Sequence, residues 1–502
     1  MRLKQLLFLL LFLLFKQPFA LAETTASNQY YYDFNALCEE AYQAYLSLQI
    51  KKGDSLMNVE SSKNPNNLIV PILQNYGDCL PLLYDGSPSL YKKTKGNMSD
   101  RLKLLEKGDP KSPWFLYSKA SIYFQWALVK MRFNEQFAGA TDLRKSLLSL
   151  KENTKKHPNF DNNNVLLGIE EAFAGTIPDN YKWLARLLGI KGDVKMGLQK
   201  IQNFLNKNPE SQTFLRTEAI IYYSFMKFYL LSDKEETWRF LTHEKTDVVN
   251  NHSLTFIMAN IAMDNNKADY CITLLQNRNK SKDYYTTRIF DLQMANVLLQ
   301  KLDADAVTYY KKFLDKNDGR IYIKAAYQKL SYYYLTQGNR NLAQKYKEAI
   351  LKNGTSDIDA DKQAQRYAQS ASFPHPELLK TQLYSAGGYF SQALNTIQAI
   401  SVRNLSDLEE LTEYYYRYGQ LKKLMGSSKE SINFYIAAIN LGNNLKGQYA
   451  ARAALELAWV YEDANNKNKA IEYYKKCLSF KNHDFQSSID QKAKAGLNRL
   501  AH

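Results

Sequence analysis

Six histidines stand at positions 157, 243, 252, 375, 483 and 502, and none has another four residues away. Two imidazoles at i and i+4 share one helix face and can hold a zinc ion. His243-Glu244 opens such a string, but Asp247 stands where the second imidazole is needed. No G-x-S-x-G, Walker or G-x-G-x-x-G stretch occurs, so a nucleophile elbow and a phosphate-cradling loop both lack their glycines. The carboxylates Glu170 and Glu171 are adjacent. Neighbouring residues point about 100° apart on a helix, so a solvated face, not acid–base work, is the expectation for them. These spacings nominate no catalytic residue, no metal ligand and no cofactor.

Glu followed by Ser is the catalytic pairing of soluble lytic transglycosylases, which join helical superhelices to cell-wall chemistry. Here the pairs are Glu60-Ser61, Glu210-Ser211 and Glu430-Ser431. The first falls in a polar stretch read as a loop, and the second follows Asn208-Pro209. The third lies inside a packing repeat, and no room for a lysozyme-like domain is expected after the last repeat, before His502. An enzyme is therefore the least favoured reading, and a non-catalytic protein is expected.

The elements that would position any site are helical. The chain has 502 residues, 45% of them hydrophobic and 13% aromatic, with 21 Gly and 12 Pro. That composition excludes a disordered tail, a collagen and a disulfide-dense miniprotein, and its few turn formers disfavour an all-β fold. At the N-terminus Arg2 and Lys4 precede ten apolar residues from Leu6 to Phe15, followed by Lys16, Pro18 and Ala20-Leu21-Ala22. This is the order of a secretory signal over residues 1–22. Ten residues rise about 15 Å, half of a bilayer core. No transmembrane helix is expected once the leader is removed. An exported chain is expected, in the periplasm or at the outer membrane of a double-membraned bacterium, and otherwise secreted.

A repeat occupies the second half. Small, aromatic or long, small, aromatic and small residues recur at offsets 0, +3, +12, +16 and +19. The last copy reads Ala458, Tyr461, Ala470, Tyr474 and Cys477, and the one before it Gly419, Lys422, Ser431, Tyr435 and Ala438. Upstream stand Leu330, Tyr333, Leu342, Tyr346 and Ala349; Met294, Val297, Ala306, Tyr310 and Phe313; and Ala259, Ala262, Cys271 and Leu275. A weaker copy begins at Thr381. Offsets of three and four share a helix face, and the gap of nine holds a turn, as at Gly338-Asn339, Gly387-Gly388, Gly426-Ser427 and Asn465-Asn466. Each unit is thus two antiparallel helices, and units must stack on their neighbours to cover their apolar stripes. An extra segment is expected from Thr355 to Pro374.

This pattern resembles the tetratricopeptide repeat, a unit of about 34 residues with a W-x2-L-G-x2-Y and A-x3-F signature. The carrying residues are Leu457, Ala458, Tyr461, Ala470 and Tyr474, then Tyr415, Tyr418, Gly419, Ser431 and Tyr435. The resemblance implies an all-α fold, an α-α superhelix or TPR-like solenoid, with repeats over 251–484 and a C-terminal capping helix over 485–502. It also implies a concave groove lined by first helices. That groove spacing nominates Asn260, Asp291, Tyr327, Ser331, Tyr334, Tyr416, Gln420, Lys423 and Trp459 for protein binding. The expected function is a protein–protein scaffold in the cell envelope. The alternative is a binding module for an anionic glycan or wall polymer. The formal charge of +16 favours an acidic protein or peptide, or an anionic glycan. The export leader argues against nucleic acid.

Residues 23–250 read as a less regular helical region, with loops at Lys51–Asn67 and Asp85–Asp100 and a polar break at Thr154–Asn164. The passage Val165–Leu198 is similar to the tetratricopeptide family that contains the inclusion-body clearance protein, whose members carry such a helical hairpin ahead of their repeats. Its glycines would let two helices approach closely. Cys271 and Cys477 fall on small packing positions, and Cys38 with Cys79 is the one disulfide the sequence leaves open.

Overall fold

The computed structural model describes residues 29–177, 182–207, 214–231, 233–244, 246–315, 317, 319–405 and 407–501. The secretory signal expected at 1–22 and the pair Glu210-Ser211 lie outside them. Every named element among the described residues is helical, and Tyr31 and Asn67 form an isolated bridge.

The helices pair in chain order. The first half holds α1 (Ala36–Leu46), α2 (Ile50–Lys63), α3 (Ile69–Asp85), α4 (Pro88–Thr94) and α5 (Asn97–Leu105). The long hairpin α6 (Pro113–Arg132) and α7 (Gln136–Lys156) follows. Next come α8 (Asn162–Ala174), α9 (Lys182–Leu187), α10 (Val194–Lys207), α11 (Arg216–Leu231) and α12 (Lys234–His243). The second half pairs α13 (His252–Asp264) with α14 (Ala268–Asn277), α15 (Ile289–Gln300) with α16 (Asp305–Leu314), and α17 (Ile323–Thr336) with α18 (Arg340–Lys352). After α19 (Asp359–Gln369) come α20 (Pro376–Gly387) with α21 (Phe390–Gln398), α22 (Leu408–Leu424) with α23 (Ser428–Leu441), and α24 (Tyr449–Asp463) with α25 (Lys467–Ser479). The last helix, α26 (Gln486–Ala501), packs on α24 and α25. The fold is an all-α, TPR-like superhelix.

Sequence dictates the turns. Asn266, Gly338, Gly388, Gly426 and Asn465 all adopt left-handed backbone between paired helices, the conformation Gly and Asn reach at least cost. Side chains then start the next helix: Asn339 accepts from the Leu342 amide and Asn466 from the Lys469 amide. The repeat's large positions drive the packing. Tyr310, Tyr435 and Tyr474 are fully buried, as are Ala306, Ser431, Ala470 and Cys477. A methyl on Gly419 would lie 2.8 Å from the Tyr435 ring, which shows why this crossing takes the smallest residue.

One copy is out of register. Leu342, Tyr346 and Ala349 are only half-buried, whereas Ala343, Lys347 and Ile350 are buried. Counting back twelve from Ala343 gives Ser331, so the small position on α17 is Ser331 and not Leu330. The serine hydroxyl donates to the Ala343 carbonyl at 2.7 Å, which a leucine cannot do.

Two loop expectations are corrected. Lys51–Lys63 is helical in α2, because Met57 and Glu60 are buried and Gly53 sits under the Tyr45 ring. Glu60, expected in a polar loop, accepts from Asn35, Asn64 and Asn67 at 2.8, 3.0 and 2.8 Å. The stretch Asp85–Asp100 holds α4 and the start of α5, with Ser87 capping Pro88 onward. The solvated face expected at Glu170 is also absent. Glu170 is fully buried against Ser146, while Glu171 pairs with Lys200 at 2.5 Å. The polar break expected at Thr154–Asn164 narrows to 157–161, because Thr154 to Lys156 end α7 and Asn162 to Asn164 begin α8.

Cys38 and Cys79 are buried free thiols, each near an asparagine amide: Asn67 at 3.8 Å and Asn75 at 3.6 Å. Cys271 and Cys477 are likewise buried and free.

The units also touch beyond their neighbours. The Ser47 carbonyl accepts from the His252 amide at 3.4 Å, the Leu48 carbonyl accepts from the Tyr285 amide at 2.7 Å, and Thr287 donates to Asp85. Asn134 donates to Asp357 at 2.7 Å, and Asn266 to the Ser385 carbonyl at 2.9 Å. Turn and helix-end groups thus find partners across the coil, so strict neighbour-only stacking does not hold.

Candidate functional site

The extra segment becomes α19, and Asp361 fastens it. Its carboxylate accepts from the Tyr322 and Ala325 amides at 2.7 and 2.9 Å, capping α17 from outside the helix. The Tyr367 hydroxyl meets Ser331 Oγ at 2.7 Å, and its ring stands edge-on to Tyr332 at 5.0 Å. This brings α19 against α17 and toward α22.

From there a polar, aromatic track runs over α17, α19, α22, α24 and α26. Lys329 Nζ lies 5.4 Å from the Tyr332 ring centroid, and burial pushes its ammonium below its ordinary range. Arg417 donates to Glu413 at 2.5 Å and to Gln382 at 2.9 Å, and its guanidinium lies 5.6 Å from the Tyr449 ring. Burial works against the Arg417 charge, but Glu413 and Tyr449 beside it raise its affinity for the proton overall. Phe485 sits between two guanidiniums, those of Arg366 and Arg452, each 5.3 Å from its ring. Asp484 lies 4.0 Å from Arg366. Lys423 pairs with Glu456 at 3.0 Å and lies 5.4 Å from the Trp459 ring. Lys492 on α26 is held low by burial and by Arg452, which Glu456 partly offsets. Six cations thus stand with four carboxylates, Glu409, Glu413, Glu456 and Asp484. Among the described residues no carboxylate lies within ion-pair distance of Lys329 or Lys492.

The nominated residues divide. Lys423 and Trp459 fall on this track, and half-buried Gln420 lies on α22 beside them. Tyr416 is inside the packing, 6.4 Å from Tyr435 and 5.5 Å from Tyr449. Ser331 is fully buried and holds the α17–α18–α19 junction. Tyr327 and Tyr334 stack on Tyr346 at 6.4 and 5.4 Å, within their own hairpin. Asn260 accepts from Gln293 at 2.7 Å, linking α13 to α15. Asp291 is half-buried near Arg278, Arg288 and Lys312; burial raises its pKa against those three charges. Sequence reasoning missed Lys329, Arg366, Arg417, Arg452 and Lys492. Their only local signal is a basic residue beside an aromatic, which recurs all along this chain.

The other chemistry-bearing pairs serve packing. Ser431 donates to the Ser428 carbonyl at 2.6 Å, and Glu430 pairs with Lys422 at 2.7 Å. Among the described residues no cluster of three His, Cys, Asp or Glu is placed to hold a metal, and no helix is long and apolar enough to cross a membrane.

The class defined by these helices is a superhelix of stacked hairpins. No family model matches the chain, and no curated protein matches it. Among solved structures it is similar to the APC/C hetero-tetramer Cut9–Hcn1 at 12% identity, over 92% of this chain and 90% of that one, with a TM-score of 0.29. It is also similar to Naa15/Naa10 bound to HypK-THB at 13% identity, over 92% of this chain and 65% of that one, with a TM-score of 0.24. Likenesses this distant carry no argument, and the fold rests on the hairpin packing itself.

Proposed function

We propose that the protein is a non-catalytic, tetratricopeptide-like scaffold that captures an acidic protein segment along the track from Lys329 to Lys492. The observation that supports this is the surplus of partly desolvated cations interleaved with Tyr332, Tyr449, Trp459 and Phe485. Cations held below their ordinary proton affinity regain it beside an anion, and flat aromatics add contact area at low entropy cost. The leader at residues 1–22 supports export, and with it a role in the envelope of a bacterium.

The test is capture from an envelope extract by the wild-type chain and by a K329E/K492E variant, with and without about 0.3 M salt. Retention of one protein by the wild type, lost in the variant, is the expected result. Retention of wall polymer alone, abolished by salt, would favour the anionic-glycan reading. Equal capture by both chains would remove the track from consideration.

A further inference from the structure

Part of the track is already occupied, and the occupant belongs to this chain. The turn before α26 carries Asp484 and Phe485. Asp484 lies 4.0 Å from Arg366, and the Phe485 ring stands between Arg366 and Arg452, 5.3 Å from each. Arg366 belongs to α19 and Arg452 to α24, so the turn bridges the inserted helix and the last repeat. A carboxylate beside a phenyl ring thus fills the two guanidiniums that an incoming acidic segment would use.

The turn sits there against its local preferences. Phe485 has a φ of +60°, left-handed backbone that a bulky side chain rarely adopts. It also stands directly before the first residue of α26, its carbonyl accepting from the Ile489 amide at 3.0 Å. That place favours Ser, Thr, Asp or Asn, whose side chains bond the first helical amides. A residue that breaks two local rules persists where its side chain gains something elsewhere, and here the gain is the pair of guanidiniums.

The hold on Asp484 is weak. Its side chain is 66% exposed, and so open an ion pair contributes little. Like charge crowds it as well: burial, then Asp407, Glu413 and Asp484, raise the Glu409 pKa. The base of the turn is fixed separately, since His483 is buried and the Asn482 amide donates to Gln486 at 2.9 Å. The Asp484 and Phe485 side chains can therefore leave the arginines while α26 stays folded.

We propose that Asp484-Phe485 is an internal stand-in for the partner: the captured segment carries a carboxylate next to an aromatic ring, takes Arg366 and Arg452, and displaces the turn. This rests on the capture of an acidic segment by the track, and adds which side chains that segment presents and what it must dislodge.

The probes are short fluorescein-labelled Gly/Ser peptides carrying Asp-Phe steps, or Asp-Ala steps at equal charge. They are titrated against the full wild-type chain, D484N/F485N and R366Q/R452Q. Asparagine accepts left-handed backbone and caps helices, so D484N/F485N keeps the turn, and D484N alone replaces it should the double variant melt lower. Wild type should bind the Asp-Phe peptide at least about threefold tighter than the Asp-Ala peptide. D484N/F485N should bind it about fivefold tighter still, because an occupied site lowers apparent affinity by its free fraction. R366Q/R452Q should lose about tenfold. The native cysteines are buried, so spin labels on K362C and S488C, both exposed positions, report the separation of α19 and α26. That separation should lengthen when the Asp-Phe peptide is added. Acidic peptides that bind D484N/F485N no better than wild type, with the label distance unchanged, overturn the stand-in and leave capture by the track intact. Equal affinity for Asp-Phe and Asp-Ala peptides also overturns it. Failure of every acidic peptide to bind overturns both readings.

Discussion

Ser146 and Glu170 meet across the α7–α8 crossing with 2.5 Å between their oxygens, both fully buried. The Ser146 hydroxyl also lies 2.7 Å from the Ala120 carbonyl, which can only accept. One hydroxyl has one hydrogen, so the contact to Glu170 is made by a proton on the carboxyl. Burial raises the Glu170 pKa well above its ordinary value, in agreement with this. Its second oxygen has no partner, a further cost if it were ionised.

The pH consequence follows from linkage. An unfolded glutamate loses its proton near pH 4.3, whereas folded Glu170 keeps it, so the folded chain binds more protons above that pH. Its contribution to stability falls as pH rises from about 4.3 toward the raised folded value. Glu170→Gln keeps the shape and a donor toward Ser146. The variant should be more stable than wild type at pH 7, and its advantage should shrink toward pH 5. Melting curves at both pH values check this. An equal difference at the two would mean that Glu170 is ionised in the fold.

Gly168 and Gly197 set the α8–α10 approach. A methyl on Gly197 would lie 2.4 Å from the Gly168 carbonyl oxygen and 2.6 Å from the Ala172 nitrogen, both rigid backbone. Gly197→Ala should cost about 1–3 kcal/mol by overpacking. Gly96→Ala is the control: nothing lies within 4 Å of its added methyl and its backbone is right-handed. Chemical denaturation should separate the two variants clearly, and similar midpoints would refute the close approach.

The register of the α17–α18 hairpin is testable by size. Ala343 is fully buried while Leu342 is half-buried. Ala343→Leu should destabilise by about 1–3 kcal/mol, more than Leu342→Ala does. Ser331→Ala should cost about 1 kcal/mol by removing the bond to the Ala343 carbonyl. A reversed order for positions 342 and 343 would restore the register read from the sequence.

This hairpin shows what sequence carries. Where the small residue was Ala or Gly and the wedge was Tyr, as at Ala470 and Tyr474 or Gly419 and Tyr435, spacing alone located buried positions. At Leu330-Ser331 two adjacent residues could fill the role, and the choice fell on the serine whose hydroxyl finds a carbonyl. The α2 helix was illegible because its buried face is Gly53, Met57 and Glu60 in place of a leucine stripe. The track was half legible. Lys423 and Trp459 lie on repeat helices with a known inward face. Arg366 comes from the inserted α19 and Phe485 from the turn before α26, so their meeting depends on long-range closure that no local spacing encodes.

A different long-range closure, between α1 and α13, has its own pH sensitivity at His252. The His252 amide reaches the Ser47 carbonyl, its ring stacks on Tyr284 at 3.9 Å, and Nε2 lies 2.8 Å from the Asn279 carbonyl. The carbonyl needs a donor, so Nε2 carries the hydrogen of a neutral ring. Burial pushes the His252 pKa down to about 4, assisted by Arg278. Below the unfolded value near 6.5 the unfolded chain therefore takes up a proton that the fold refuses. Stability present above pH 6.5 is lost as pH falls from there toward 4, by about 2 kcal/mol at pH 5. This slope is opposite to that of Glu170, so single variants are needed to see either. His252→Gln retains a donor toward Asn279 and should flatten the acid-side loss. Hydrogen exchange at the Tyr285 amide, bonded to the Leu48 carbonyl at 2.7 Å, should quicken between pH 7 and 5, after correction for intrinsic rates, in wild type only. Unchanged protection at pH 5 would show that the closure between α1 and α13 does not respond to this histidine.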